Sequence, residues 1–175
     1  DLKKNKNSYK FVYNKNTFGT NLRLTEIQSF AGMEQLKNLK KIQNKRQKMS
    51  KDYYNLILKY NKYFYSYYPS KNIKSAWYRF YFFLKKEVKN YKNIRFKIIK
   101  DLNRNDLKCF TGSCPEIYLE KSFQKLKNFR SIRLKNSKIL GETSIALDVN
   151  HTLNYSLHKK NLLRMSTVIE KIFQI

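Results

Sequence analysis

Glycine and proline are nearly missing, with four and two residues in a chain of 175. Long structureless linkers are rich in both, so most of this chain should run as ordered elements with short connections. Cysteine is as rare. Cys109 and Cys114 are too few for a disulfide framework. Their C-x4-C spacing, with His151 and His158 as H-x6-H far downstream, lies outside the windows of zinc fingers. The expectation is therefore two reduced thiols, no metal, and a cytoplasmic setting. No apolar run approaches the length that crosses a bilayer, and no leader pattern stands at the front, so no membrane segment is expected. The chain opens on Asp1 rather than Met, with the polar string DLKKNKNSYK, which reads as a fragment or a processed chain.

Acidic residues are the last shortage. Twelve Asp and Glu face 38 Lys and Arg, for a formal net charge of +26. Such an excess invites a nucleic-acid reading. A competing explanation is compositional: Lys, Asn, Ile, Tyr and Phe are all abundant, and all have codons rich in A and T. Placement favours the second. Lysines are scattered through every segment, with only short runs such as Lys3-Lys4 and Lys40-Lys41, whereas a binding footprint clusters on one face. No specific nucleic-acid partner is expected. The chain has 41% hydrophobic and 15% aromatic residues, which is enough for a real core and excludes wholesale disorder.

Along the chain, Phe11-Val12-Tyr13 is a short apolar patch in a polar stretch, readable as strand or loop. Thr25-Glu26-Ile27-Gln28 is a capping box. Behind it, apolar residues from Ile27 to Tyr60 recur at three- and four-residue steps, which predicts one long helix over 25–60. The aromatic run 77–84 predicts a strand with a well-buried face. Residues 94–99 read as a short strand or a turn, and a short helix is expected after Asp101, with Asn103 or Asn105 as its cap. Residues 109–115 read as a loop, 116–129 as a helix with Glu116 and Glu120 on one face, 145–149 as a strand, and 157–173 as a terminal amphipathic helix. Strands alternating with helices give a small α/β or α+β layer.

Three segments carry a resemblance. The first is Gly19-Thr20-Asn21-Leu22-Arg23-Leu24-Thr25-Glu26-Ile27-Gln28-Ser29-Phe30-Ala31-Gly32-Met33-Glu34-Gln35-Leu36. The second is Gly112-Ser113-Cys114-Pro115-Glu116-Ile117-Tyr118-Leu119-Glu120-Lys121-Ser122-Phe123. The third is Leu140-Gly141-Glu142-Thr143-Ser144-Ile145-Ala146-Leu147, followed by His151-Thr152-Leu153. The first closely resembles the G-x-N-x-R-[ML]-T-E stretch of the DegT/DnrJ/StrS-type sugar aminotransferases, and the other two resemble the C-terminal region of some members.

That resemblance implies the C-terminal portion of a fold-type-I pyridoxal-phosphate (PLP) transferase. Residues 1–20 would be the remnant of the large PLP-binding domain, 21–60 the long connecting helix, and 61–175 the small C-terminal domain of mixed helix and sheet. Members transfer an amino group, usually from glutamate, onto a nucleotide-linked keto sugar for surface polysaccharides or related products. They work as homodimers. The resemblance assigns Asn21 to the phosphate of the partner subunit's PLP, with Arg23 beside it. It places Ser113, Cys114, Tyr118 and His151 in the substrate region.

The residues themselves agree in part. Asn21 and Arg23 precede a capped helix start, a place suited to a phosphate or carboxylate. Cys114 otherwise reads as a small semi-buried thiol, and His151 as support for a turn after the last strand. The lysine that holds the cofactor lies several tens of residues ahead of the first motif in this family, and only eighteen residues precede Gly19 here. No catalytic residue is therefore assigned, and the chain alone is expected to bind PLP weakly or not at all and to be inactive. Relatives often carry a histidine in the loop where this chain has Ser113 and Cys114. The competing functions are a non-catalytic dimerisation module and a basic nucleic-acid-binding protein.

Overall fold

Buried and half-buried residues alternate along 79–84, and that alternation sets the sheet. Phe80, Phe82 and Leu84 face one side and are fully buried, while Arg79, Tyr81 and Phe83 face the other. In the computed structural model of the protein, which describes residues 24–126, 129 and 131–175, this stretch is β2 (Arg79–Leu84). It lies between β1 (Phe64–Tyr65) and β4 (Ser144–Asp148), and β4 pairs in turn with β3 (Cys109–Phe110). The order is β1-β2-β4-β3, and every pair is antiparallel. The register places Tyr81 and Phe110 on either side of Ala146, and Phe80 beside Leu147.

Three helices bring apolar stripes to the core: α2 (Leu39–Lys59), α3 (Tyr91–Arg104) and α6 (Tyr155–Phe173). Tyr53 of α2 stacks on Phe80, with ring centroids 5.7 Å apart, and Phe64 meets Phe82 edge-on at 5.4 Å. The Tyr60 hydroxyl ties α2 to Ser166 and Glu170 of α6. The mixed helix-and-strand layer expected from the sequence is what forms.

The single helix expected over 25–60 is instead two, α1 (Glu26–Lys37) and α2, separated at Asn38. Asparagine has a short amide that competes for backbone groups. Here Asn38 Nδ2 donates to Glu34 O at 3.4 Å, and the Asn38 N–H donates to Gln35 O instead. The capping box ahead of α1 forms as expected: Thr25 Oγ1 accepts from Gln28 N at 3.3 Å and Thr25 N donates to Gln28 Oε1 at 2.9 Å. Yet α1 buries nothing. Leu24 just ahead of it, and Ile27, Phe30, Met33 and Leu36 along it, are between 61% and 83% exposed.

Residues 94–99 belong to α3, not to a strand or turn. Arg95, Ile98, Ile99 and Leu102 fall at i, i+3, i+4 and i+7 and form its buried face. Asn103 and Asn105 end this helix; neither starts a new one. Asn103 Nδ2 bonds Ile99 O and Cys109 O, both at 2.7 Å, and Asn105 is the C-cap. The expected helix over 116–129 is reduced to a 3-10 turn (Ile117–Leu119) and one short α-turn, α4 (Lys121–Gln124). Its apolar residues Ile117 and Leu119 are exposed, so the periodic pattern has no surface to pack on. A further helix, α5 (Lys135–Thr143), leads directly into β4.

His158 sits wholly buried between α2 and α6. Its Nε2 lies 3.2 Å from Asp52 Oδ2, and the Tyr155 hydroxyl donates to the same oxygen at 3.0 Å. Its Nδ1 is buried with no partner. Burial lowers the His158 pKa from 6.5 despite the opposing pull of Asp52. The unfolded chain therefore takes up this proton before the folded one does. The stability is complete above 6.5 and is lost as pH falls toward the depressed folded value. Melting temperature measured against pH should fall across that window, and His158→Gln should flatten the slope there.

Candidate functional site

The loop 111–118 crosses the half-buried aromatic face of the sheet, and glycine permits it. Gly112 has φ +93, and a Cβ at that position would lie 2.9 Å from Ser144 Oγ and 3.2 Å from Tyr81 Cε1. The chain thus rests directly on β2 and β4. Ser144 Oγ donates to Thr111 O at 2.7 Å, and Ser113 Oγ and Tyr81 OH share a hydrogen bond of 3.1 Å.

Arg95 anchors the loop from beneath. It is 6% exposed, and it donates from Nε to Ser144 O and from Nη2 to Thr111 O, both at 2.8 Å. Burial lowers its pKa to about 10, so it is still charged at neutral pH. Sequence reasoning overlooked this residue. Its signal was an arginine three and four places ahead of Ile98 and Ile99, in the inward register of an apolar helix face.

Two carboxylates complete the frame. Glu116 accepts both Arg133 Nε and Nη2, at 3.0 and 3.1 Å, and also the Tyr118 hydroxyl at 3.0 Å. Tyr118 in turn accepts from Leu134 N at 2.9 Å, so this triad ties the loop to the start of α5. The Arg133 contact holds the Glu116 pKa below its usual 4.5. Glu142 accepts from Tyr91 OH at 2.8 Å and Lys92 Nζ at 3.0 Å, and its pKa is lowered for the same kind of reason, the Tyr91 bond first.

Glu116 and Glu120 do not share a helix face, as the sequence pattern had suggested. The loop turns between them, and Glu120 instead accepts from Cys114 Sγ at 3.3 Å. Burial and that carboxylate raise the Cys114 pKa to about 11. The thiol is therefore protonated at neutral pH and is no nucleophile.

Ser113, Cys114 and Tyr118 lie on one loop, with their side chains bonded to Tyr81, Glu120 and Glu116 respectively. His151 does not join them. The loop lies at the Ser144 end of β4 and His151 follows its far end, and a five-residue strand spans roughly 17 Å. There His151 O accepts from Lys45 Nζ at 3.4 Å. Asn21 and Arg23 lie outside the described residues. Among the described residues, no three His, Cys, Asp or Glu side chains gather to hold a metal, and no helix is long and apolar enough to cross a membrane.

The loop, α3 and α5 enclose a cleft of about 320 Å³. Arg95, Lys92 and Lys138 line it with Glu116 and Glu142; Lys92 pairs with Glu142 and Glu116 pairs with Arg133, which leaves Arg95 and Lys138 without a carboxylate of their own in the lining. The balance is positive, and the cleft is suited to hold an anionic group in place. Its two carboxylates are both held by hydrogen bonds and ion pairs.

The sequence profile of the DegT/DnrJ/EryC1/StrS aminotransferase family matches residues 3–160. No curated protein matches. Among solved structures, an aminotransferase from Psychrobacter cryohalolentis is similar at 29% identity and a TM-score of 0.77, over 90% of this chain and 42% of that one. Helicobacter pylori PseC, described as an aminotransferase involved in the biosynthesis of pseudoaminic acid, is similar in fold at 24% identity and TM-score 0.71, over 89% of this chain and 40% of that one. A DegT DnrJ EryC1 StrS aminotransferase from Brucella abortus follows at 14% and 0.64, over 83% and 36%. The chain spans less than half the length of each.

Proposed function

The chain belongs to the DegT/DnrJ/EryC1/StrS aminotransferase family, and from that premise we propose that it is the small-domain part of a PLP-dependent enzyme that aminates a nucleotide-linked keto sugar. The observation that carries this reading is the family match over residues 3–160, in a chain spanning 42% of its Psychrobacter relative. The role of the Helicobacter relative in pseudoaminic acid biosynthesis supports an amino-sugar product. The setting is the cytoplasm, with both thiols free.

The described residues do not fit the cofactor by themselves. Every described lysine is exposed except the half-buried Lys85. A lysine that carries PLP needs a desolvated site with a lowered pKa. No chemical step is routed through these residues. Their contribution is binding and orientation. The positive cleft under the 111–118 loop complements a sugar-nucleotide diphosphate, with Ser113 in its wall orienting the sugar and Tyr118 holding the loop in place. Asn21 donates to the PLP phosphate of a second subunit, and Arg23 braces it. The exposed apolar stripe of α1 faces that subunit in a homodimer.

The test is complementation across the dimer. A PLP-bearing family member is inactivated at its own residue matching Asn21 and mixed with this chain. Glutamate-dependent amination of a nucleotide-linked keto sugar should return with this chain and not with its Asn21→Ala form. A heterodimer that forms without activity would sink the assignment of Asn21. The same α1 stripe favours a second reading, a non-catalytic module that pairs with a longer relative. In that case the heterodimer forms, and Asn21→Ala changes nothing.

A further inference from the structure

A second cavity, of about 330 Å³, opens at the far end of β4 from the 111–118 loop, among α2, the 105–108 turn and α6. Its volume is at the small end of ligand pockets. Two of its wall residues are more than nine-tenths buried, yet each keeps an unpaired polar atom. Tyr53 is 3% exposed, and its hydroxyl has no hydrogen-bond partner among the described residues and is not sealed off. Asn161 is 7% exposed. Its Oδ1 accepts from Arg164 Nη1 at 3.4 Å, and its Nδ2 has no such partner and is likewise not sealed. Both atoms stay within reach of the cavity, so an occupant can take their hydrogen bonds in place of water.

Charges of both signs line it. Asp148 is one, and after burial its carboxylate is the largest influence raising the Tyr53 pKa, so the potential beside that hydroxyl is negative. Lys108 is exposed next to it, its backbone O accepting from Asp148 N at 3.0 Å, and Arg164 stands 4.0 Å from Asp106. Leu147 and Leu157 supply an apolar wall. A simple cation drawn to Asp148 would meet the field of a chain carrying +26. A molecule with no net charge escapes that opposition.

We infer that this cavity binds a free amino acid with an apolar side chain. Its ammonium lies at Asp148 and the Tyr53 hydroxyl, its carboxylate toward Lys108 and Arg164, and its side chain against the leucines. The inference does not rest on the family reading, and its failure would leave that reading untouched.

The experiment is an NMR titration of the whole chain with L-leucine. Saturable shifts at millimolar concentration, centred on the Tyr53 ring and the Asn161 amide, are expected. Isopentylamine and isovalerate, each lacking one charged end, should bind at least about tenfold more weakly. Tyr53→Phe keeps the ring against Phe80 and deletes a hydroxyl that bonds to nothing. It should fold as well as the parent and bind leucine about tenfold more weakly, as should Asp148→Asn. The idea is overturned by no shift up to the solubility of leucine, by an equal response to isopentylamine, or by full affinity in both variants.

Discussion

Phe82→Ala should lower the unfolding free energy by about 3–5 kcal/mol, the range for deleting a buried aromatic. Phe82 has no exposed surface and packs edge-on against Phe64. Its strand lies inside the sheet, with β1 on one side and β4 on the other, so the backbone cannot collapse into the space left behind. Domains of this size are stable by about 5–15 kcal/mol, so the variant should retain only a fraction of its margin. The internal control is the next residue. Phe83 faces the other side of the same strand, is half-buried, and stacks on Tyr65 at 5.1 Å. Phe83→Ala should cost clearly less. Urea unfolding of the two variants measures the difference, and equal losses would show that the sheet does not have one dry face and one half-open face.

Gly141→Ala should also destabilise, against the rule for helices. Inside a helix, Gly→Ala ordinarily gains about 1 kcal/mol. Here the added Cβ would strike the Pro115 ring, closest at Cγ and 2.6 Å from Cβ. A proline ring has no flexible end to swing away, and overpacking of that kind costs about 1–3 kcal/mol. The clash outweighs the propensity. The displaced atoms lie in the 111–118 loop, so the loop should lift from Tyr81 and take Cys114 away from Glu120. Two readouts check this: a lower melting temperature, and faster modification of Cys114 by a thiol reagent than in the parent. A gain in stability with unchanged thiol reactivity would mean that Pro115 yields freely.

Elements whose own residues bury a continuous stripe were legible in the sequence. The aromatic run 77–84 became β2, residues 145–149 contain most of β4, and the periodic stretch 157–173 became most of α6. The capping box was legible because it is purely local. Helix α3 was obscured by its lysines and by Arg95, a charged residue in an inward register that only the carbonyls of Ser144 and Thr111 explain. Both carbonyls come from elsewhere in the sequence, so no local pattern announces them. The converse error was 116–129, where periodicity promised a helix but the chain is held by Glu116, Tyr118 and Arg133 instead. At the candidate site, Ser113, Cys114 and Tyr118 share one loop but bond to different partners, Tyr81, Glu120 and Leu134 N, and of the three Ser113 lines the cleft. The length of β4 separates His151 from them.

The bare flank of α1 has a thermodynamic consequence. A twelve-residue helix is marginal in water by itself, and among the described residues this one rests on no other element through a buried side chain. Its capping box holds the first turn without joining it to the sheet. Amide protons of 26–37 should therefore exchange with solvent through local fraying, while those of β2 and β4 wait for global opening. The chain then melts as two units of unequal size, and only an added surface that covers the stripe would fuse them into one transition.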